Sequence, residues 1–419
     1  MEALEQLNDF LKEDCTCRSS ILNLNASENH MSLSAKKILT STAYDCYDFP
    51  PCAGEIFGAW HFNEACHHAK LSAFIADQTQ YFLGTRRVDF RPRGGQAAEI
   101  SILLGLANSG DHVFYVSEHC GGHFGLNYIA SKCGISMHDI VFDQHTHLID
   151  IERTLTMMSN VWQASSNKLM LVNQSFIVQS QPWEKIVSAF KAQYPNMVIS
   201  CDISHLLGLI IGQQLANPLR YGVDIIHGST HKTFPGPQKA IIAFHCDFNH
   251  DDEAKIRHSI SPGLQSNSGT AEMMALAYVF CEMRVHAIAY AKSVCEHAQI
   301  MAKHLINERI NVCGCQFNYT QTHQLWLPMT SEGDAWNVFA RLHQTGIRVL
   351  PAWLPFENSW GIRLGTNALT RRGLIAEDFL TTAHWIAEVI NAKTNIKGLR
   401  TKVSALATKY PLTQLKYTL

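Results

Sequence analysis

Short apolar runs alternate with helix-like segments along the chain, and this alternation constrains the fold more than any other feature. The runs predict strands from about His112 to Val116, from Lys168 to Val172, up to Asp202, and on both sides of Lys232. Between the runs lie segments such as Gln96 to Asn108, where apolar residues recur at helical spacing. Strands that alternate with helices predict βα units and a mostly parallel sheet, hence an α/β protein.

The pattern changes after about Pro262. One long helical region follows, and after it come three short strand candidates (HQLWLP, IRVLP and WGIRLGT) and closing helices. A length of 419 residues also favours two domains over one. We therefore predict three stretches: an N-terminal helix and motif segment (1–50), a large domain (51–280) and a smaller C-terminal α+β domain (281–419).

Composition excludes several classes of protein. Hydrophobic residues make up 46% and charged residues 17% of the chain, which is typical of a globular protein, and the formal net charge is −2. No basic block and no apolar run of bilayer length occur, so we expect neither nucleic acid nor membrane as a partner. The acidic, amphipathic N-terminus lacks the features of a signal peptide. The 13 cysteines are scattered, which favours reduced thiols in the cytoplasm, and we assign no metal site.

Several polar residues follow the predicted strands, where sites collect in parallel sheets. Gly94 and Gly95 open the helix that begins near Gln96, and such a helix start binds phosphate through free backbone N–H groups. Asp202 ends one strand, and Lys232 stands in a Pro- and Gly-rich turn after the next. Taken singly, these are more often a turn, a helix cap and a solvated lysine.

Together they match the requirements of a pyridoxal phosphate enzyme. The lysine would form a Schiff base with the cofactor aldehyde, the carboxylate would pair with the pyridinium nitrogen, and the glycine-led helix would hold the phosphate. A stiff turn suits such a lysine because its amine must reach a single carbon atom.

Five collinear motifs carry a resemblance to a known family. STHKTFPGP contains Lys232, LNASEN lies near the start, and CGGH, CDISHLLGLI and GIRLGTNALTRRG follow the same order and compatible spacings. From about Leu22 to Trp385 the chain resembles the serine hydroxymethyltransferases, pyridoxal phosphate enzymes of the aspartate-aminotransferase type (fold type I). The resemblance implies a three-layer αβα large domain with a smaller C-terminal domain.

The resemblance also implies roles for individual residues. Lys232 would hold the cofactor beside His231, Asp202 would pair with the ring nitrogen, and Arg363 would clamp the substrate α-carboxylate as a bidentate fork. The other implied cofactor and substrate contacts are Gly94, Gly95, Gln96, Cys120, His123, Ser175, His205, Ser27, Tyr47, Ser266 and Asn267. Tyr47 and the Ser266–Asn267 loop match residues that the family donates across a homodimer interface, so we expect composite active sites.

Departures from the family pattern bear on the reaction. The family glutamate that moves a proton and serves the folate-linked step aligns with Phe49, while Asp48 and Glu55 fall out of register. The histidine that stacks on the cofactor aligns with Cys120, unless His119 takes that place. In the C-terminal part, LPAWLPFENSW replaces the family's pterin-contacting loop.

These departures favour carbanion chemistry without tetrahydrofolate, because phenylalanine has neither the charge nor the acid–base capacity of glutamate. We expect aldol or retro-aldol chemistry at Cα–Cβ of an α-amino acid, with an aldehyde or one-carbon partner and with His205, His123 or His231 as base. Three alternatives stay open at this point: a folate-dependent serine hydroxymethyltransferase, another fold-type-I enzyme such as an aminotransferase or a decarboxylase, and a non-enzymatic relative that binds a partner on the same scaffold. The retention of Lys232, Asp202 and Arg363 argues against the third.

Overall fold

The computed structural model describes residues 1–46, 66–162 and 168–419. They form two compact units, one of Met1–His30 with Lys292–Thr418 and the other of Met31–Ala291 together with Leu419. We call these the N/C unit and the central unit. The division at Ala291 falls inside one long helix, whereas the sequence placed boundaries after residues 50 and 280. That three-part division by role stays a prediction.

The secondary structure alternates as expected. The strands are β1 (Leu22–Asn23), β2 (Val88–Asp89), β3 (His112–Tyr115), β4 (Ser136–Asp139), β5 (Leu169–Val172), β6 (Val198–Asp202), β7 (Ile225–Ser229), β8 (Ala240–Phe244), β9 (Gln324–Pro328), β10 (Ile347–Arg348), β11 (Leu350–Leu354) and β12 (Ser359–Gly365). The helices are α1 (Glu2–Ser19), α2 (Leu33–Ile38), α3 (Cys66–Leu83), α4 (Gly95–Leu106), α5 (Leu126–Lys132), α6 (Ile151–Val161), α7 (Trp183–Gln193), α8 (Leu207–Ile211), α9 (His250–His258), α10 (Thr270–Asn307), α11 (Glu332–Thr345), α12 (Asn367–Arg372), α13 (Ala376–Ile390) and α14 (Ile396–Lys409).

The central unit is built on a seven-stranded sheet in the order β2-β8-β7-β6-β5-β3-β4. The five strands from β7 to β4 run parallel, and β8 and β2 are antiparallel to their neighbours. β5, β7 and β8 are buried along their whole length, which explains why they read as unbroken apolar runs. The prediction of a mostly parallel α/β sheet is confirmed.

α4 covers one face of this sheet. Its residues Ala98, Ile102 and Leu103 are fully buried and share a hydrophobic core with Leu171 of β5 and Ile225 of β7. The packing fixes the start of α4 beside the carboxyl ends of the central strands, where the candidate residues lie.

The N/C unit has a three-stranded antiparallel sheet in the order β11-β12-β9 and a separate parallel pair, β1 with β10. Leu22 and Leu24 are fully buried in the same core as α11, α13 and α14. The N-terminal segment therefore belongs to the fold of the C-terminal third of the chain. Among the described residues, no helix is both long and apolar enough to cross a membrane.

Candidate active site

Four candidate residues follow neighbouring strands of the central sheet. Asp202 ends β6, and Lys232, Ser175 and Cys120 come a few residues after β7, β5 and β3. These strands lie in the order β7-β6-β5-β3 and run parallel, so their carboxyl ends share one edge of the sheet. The sequence predicted strand-end positions for Asp202 and Lys232, and the topology places both of them at this edge.

The turn that holds Lys232 is closed by its own backbone. Thr230 N donates to Lys239 O at 2.8 Å, and Gly236 N donates to Thr230 O at 2.8 Å. The side chain of Thr233, next to the lysine, accepts a hydrogen bond from Gly208 N of α8 at 3.0 Å. Because the turn is tied at both ends and to α8, the backbone at Lys232 is fixed.

Asp202 is 7% exposed and lies within electrostatic range of two other candidates. Its Oδ1 accepts a hydrogen bond from Ser204 N at 2.6 Å. Burial lowers the pKa of His123, the Asp202 carboxylate raises it, and the Lys232 ammonium lowers it. The structure therefore brings His123, Asp202 and Lys232 into one cluster.

The loops after β3 and β5 are joined to each other. His123 N donates to Asn173 O at 3.0 Å, and Ser175 N donates to Gly121 O at 2.7 Å. These hydrogen bonds hold His123 and Ser175 on two adjacent loops. Cys120 is half-buried in a single helical turn, and burial raises the pKa of its thiol, so it is a neutral group. His119 is exposed in the same turn.

The start of α4 is packed against the strand-end residues. A Cβ on Gly95 would lie 2.9 Å from Ser204 Oγ and 3.2 Å from Ser229 N, whereas a Cβ on Gly94 would meet open space. Ser204 Oγ also accepts a hydrogen bond from Ser229 N at 2.8 Å. Glycine thus lets the helix start approach the sheet, and its first N–H groups are the ones that a phosphate would use. Gln96 is exposed in this first turn.

The residues of this edge fit pyridoxal phosphate. In the described part of the chain, Ser229 Oγ, His231 Nδ1 and His123 Nδ1 are buried polar atoms without a hydrogen-bond partner. A buried carboxylate, a lysine on a fixed turn and a glycine-led helix start complete the set of donors and acceptors that the cofactor needs. When bound, the cofactor supplies an electron sink for a bond broken at Cα of an amino acid.

Two further candidates of the central unit, His205 and His231, are histidines. His205 is 1% exposed, three residues beyond the end of β6. Burial, and then the Lys232 ammonium, lower the pKa of His231 to about 4, so its imidazole is neutral at neutral pH.

Ser266 and Asn267 lie in the loop that precedes α10. Asn267 Oδ1 accepts a hydrogen bond from Gly269 N at 3.0 Å, and Lys239 Nζ donates to Ser268 O at 2.6 Å. Gln265 Nε2 donates to Arg91 O at 2.9 Å, which docks the loop on the segment before Gly94. The contact of this loop with a partner's phosphate stays a prediction.

Ser27 and Arg363 lie together in the N/C unit. Arg363 Nη2 donates to Ser27 Oγ at 2.8 Å, and the arginine is 4% exposed on β12. Burial lowers the pKa of Arg363 to about 10, which leaves it charged at neutral pH. Glu28 locks the preceding turn by accepting hydrogen bonds from Asn23 and Asn25, each at 2.8 Å. Two motifs more than 300 residues apart in sequence thus meet at one hydrogen bond, and the binding of a carboxylate by these two residues stays a prediction.

LPAWLPFENSW forms part of a β-hairpin. β11 and β12 pair antiparallel with Trp353 opposite Trp360, whose ring centroids lie 6.4 Å apart in an edge-to-face arrangement. Tyr47 falls outside the described residues, as do Asp48, Phe49 and Glu55.

Sequence reasoning missed two buried residues beside Asp202. Glu99 on α4 is 1% exposed, and His227 on β7 is fully buried. Burial, and then the charge of Asp202, raise the pKa of Glu99 well above its ordinary value. The available signal for Glu99 was its position inside the strongly apolar stretch AAEISILLGL. Such a stretch predicts a buried helix, and a glutamate is rarely buried without a partner.

Two groups of possible metal ligands occur elsewhere among the described residues, His245 with Cys246 and Asp247, and His304 with Glu308 and His384. His384 Nδ1 lies 2.9 Å from Glu308 Oε1, which is an ordinary ion-pair geometry. Neither group includes a candidate residue of the site.

A family model and the sequences of known relatives indicate the same family. The family model of serine hydroxymethyltransferase matches residues 2–386. The chain is 28% identical to serine hydroxymethyltransferase of Pyrococcus furiosus, over 98% of this chain and 96% of the relative. It is also 28% identical to that of Archaeoglobus fulgidus, over 92% of this chain and 86% of the relative.

A solved structure is similar along the full length. The L-threonine transaldolase from Pseudomonas fluorescens, crystallised in its internal aldimine state, matches with a TM-score of 0.93 and 30% identity. The match covers 100% of this chain and 94% of that one. With this match and a family model that spans most of its length, the chain belongs to the serine hydroxymethyltransferase family and is a pyridoxal phosphate-dependent enzyme of fold type I.

Proposed function

We propose that this enzyme breaks and forms the Cα–Cβ bond of a β-hydroxy-α-amino acid and transfers the glycyl group to another aldehyde without tetrahydrofolate. The observation that carries the proposal is a selective change in the family pattern. The lysine, the strand-end carboxylate and the carboxylate-binding arginine are kept, whereas the proton-moving glutamate is replaced by Phe49. The likeness to an L-threonine transaldolase supports the same reaction class.

Each retained residue has a task in this reaction. Arg363 and Ser27 bind the substrate α-carboxylate, which orients the Cα–Cβ bond. Lys232 would hold the cofactor through its side-chain amine, and Asp202 would keep the ring nitrogen protonated. These roles rest on the motifs and on the contacts described above.

A neutral imidazole suits the proton transfer. In the cleavage direction, a base accepts the proton of the β-hydroxyl, the Cα–Cβ bond breaks, and an aldehyde leaves. In the transfer direction, a second aldehyde takes the glycyl group, and its oxygen receives the proton back. His123 and His231 both have lowered pKa values and can therefore accept a proton at neutral pH, and His205 is a third candidate.

The experiment uses purified, cofactor-saturated protein with L-threonine and benzaldehyde as acceptor. Acetaldehyde release is followed through a coupled alcohol dehydrogenase, and the new amino acid is identified by mass spectrometry. We expect both products without tetrahydrofolate and no change in rate when it is added. The Lys232→Ala variant is the control and should give neither product.

The relatives named serine hydroxymethyltransferase favour a second candidate, the folate-dependent reaction. Activity seen only with L-serine and tetrahydrofolate would establish that candidate and overturn our proposal. Conversion of the cofactor to its amine form, or carbon dioxide release with amino acids alone, would instead indicate an aminotransferase or a decarboxylase.

A further inference from the structure

A buried polar layer lies behind Asp202 on the face of the sheet that α4 covers. Ile225 of β7 shares a hydrophobic core with Ala98 and Ile102 of α4, so it points toward that helix. His227, two residues further along the strand, points the same way because side chains alternate along a strand. Asp202 is the Cα partner of His227 in the parallel pair of β6 and β7, so both side chains face α4.

Three more residues complete this layer. Glu99 is on α4 itself, Ser200 precedes Asp202 by two residues on β6, and Asn173 follows Leu171 by two residues just beyond β5. Glu99 is 1% exposed, and Ser200, Asn173 and His227 are fully buried. These four residues are therefore sealed from solvent.

Hydrogen bonds fix part of the layer and, within the described ranges, leave three of its side-chain polar atoms unpaired. His227 Nδ1 lies 3.0 Å from Ser200 Oγ, and Asn173 Oδ1 accepts a hydrogen bond from Val116 N at 2.9 Å. His227 Nε2, Glu99 Oε1 and Asn173 Nδ2 are buried and have no hydrogen-bond partner among the residues that the structure describes. Unpaired polar atoms in a fully buried layer are costly and call for a functional explanation.

The layer favours a single negative charge. Burial and the Asp202 carboxylate both raise the pKa of Glu99, while the Asn173 amide and the Lys232 ammonium oppose this more weakly. Burial lowers the pKa of His227, with Asp202 opposing and His123 adding to the decrease. Two carboxylates at one buried site do not both ionise, so the proton resides on one of them.

We propose that Glu99 and His227 are positioning residues that confine the negative charge of this layer to Asp202 and orient that carboxylate toward the cofactor's ring nitrogen. Glu99 does so as a buried neutral acid and His227 as a buried neutral imidazole. The inference rests on the proposed role of Asp202 but is independent of the aldehyde that the enzyme uses and of folate.

The first test observes the protonated carboxyl directly. Fourier-transform infrared spectra of the substrate-free holoenzyme are recorded near neutral pH for the parent protein and for each variant, and the spectra are compared by subtraction. We expect the carbonyl stretch of a buried carboxylic acid, which disappears in Glu99→Gln. Glu253→Gln is the control: Glu253 is also buried but lies against Arg87 and Arg257 as an ion pair, so its replacement should leave the acid band in place. An acid band that survives in Glu99→Gln, or is missing from the parent protein, would overturn the proposal.

The second test uses the visible absorption of the bound cofactor, titrated with pH in the absence of substrate. Glutamine mimics the neutral acid, so Glu99→Gln should keep the titration midpoint within about 0.3 units, whereas removal of a nearby negative charge would shift it by about 1 unit or more. Glu99→Leu and His227→Leu remove polar groups next to Asp202 and should shift the midpoint and weaken cofactor binding about fivefold or more. A large shift in Glu99→Gln, or none in the two leucine variants, would contradict the inference.

These outcomes are separable from the proposed function. If Lys232 did not bind the cofactor, Lys232→Ala would keep the absorption and the pH titration of the parent protein. If the enzyme used folate, the substrate-free spectra would not change.

Discussion

At the scale of single residues, burial has adjusted the pKa values of the candidate residues. Arg363 stays charged although it is nearly inaccessible, while His231 is held neutral beside an ammonium group. Burial lowers both pKa values because a charge is costly to remove from water, and the Lys232 ammonium adds to the decrease for His231. Spacing in sequence placed these residues in motifs, but their protonation states come from the packing.

Replacement of Arg363 by lysine should separate carboxylate binding from cofactor binding. Lysine keeps the charge but loses the planar fork and the bond to Ser27 Oγ, so we expect the amino-acid KM to rise about 10- to 100-fold. The visible spectrum of the substrate-free enzyme should not change. Arg348→Lys is the matched control, since Arg348 binds Glu28 at 2.9 Å and its ion pair survives the exchange. Equal KM effects in both variants would refute the assigned role.

Buried histidines should make the free energy of unfolding depend on pH in the acid range. Burial is the main cause that lowers the pKa of His147, His231 and His297 to about 4 each. Between that value and the unfolded value of about 6.5, the unfolded chain binds more protons than the folded one, so stability rises with pH across this window. We expect full stability above about pH 6.5 and a progressive decrease in Tm as the pH falls toward 4.

The variant His297→Gln tests this explanation in the N/C unit. It removes an imidazole that stacks on Phe379 with centroids 4.1 Å apart, so Tm should fall at neutral pH but should depend less on pH in the acid range. His343→Gln, at an exposed position of α11, serves as the control and should leave the slope as it was. An unchanged slope in His297→Gln would argue against burial as the cause.

At the scale of secondary-structure elements, the strands and the helix for which the sequence predicted bounds are observed to within a residue or two. The predicted strand from Lys168 to Val172 is observed at Leu169–Val172, and the predicted helix from Gln96 to Asn108 is α4, Gly95–Leu106. These elements were predictable because the strands are buried on both faces and glycines mark the turns. The sequence did not show the side-by-side order of the strands, which depends on crossover connections.

The polar layer behind Asp202 escaped prediction for a related reason. Glu99 and His227 become neighbours of Asp202 only when α4 packs on the sheet and β7 pairs in register with β6. In sequence, a lone glutamate in a helix is ordinarily a solvated residue. The motifs themselves were recognisable because each one is local.

Alanine at the two glycines of the α4 start should have different consequences. A Cβ at Gly95 would crowd Ser204 and Ser229, so Gly95→Ala should lower the Tm of the cofactor-free protein and weaken cofactor binding. A Cβ at Gly94 meets open space, and its φ of 172° is accessible to any residue, so the Tm of cofactor-free Gly94→Ala should match the parent. If phosphate binds there, its cofactor affinity should nevertheless fall. Fluorimetric cofactor titration gives the affinities, and parent-like binding by Gly94→Ala would place the phosphate elsewhere.

At the scale of the whole molecule, we expect a homodimer with composite sites. Tyr47 and the Ser266–Asn267 loop are proposed to complete the partner's site, so neither Lys232→Ala nor Asn267→Glu should be active alone. Dimers re-formed from a mixture of the two contain sites that combine an intact Lys232 with an intact Asn267, and part of the activity should return. Sedimentation velocity measures the assembly. Active monomers, or mixed dimers without activity, would exclude shared sites.

The pairing of β1 with β10 has a consequence for biosynthesis. Leu22 and Asn23 align with Ile347 and Arg348, and Leu22 is fully buried in a core shared with Val403 of α14. A ribosome that has just released the first 30 residues has yet to translate the strand against which they pack. Domains ordinarily fold from the N-terminus as they emerge. Here the segment that carries Ser27 can pack only after most of the polypeptide has left the exit tunnel. Until then its leucines are exposed, and we expect nascent-chain chaperones to bind them.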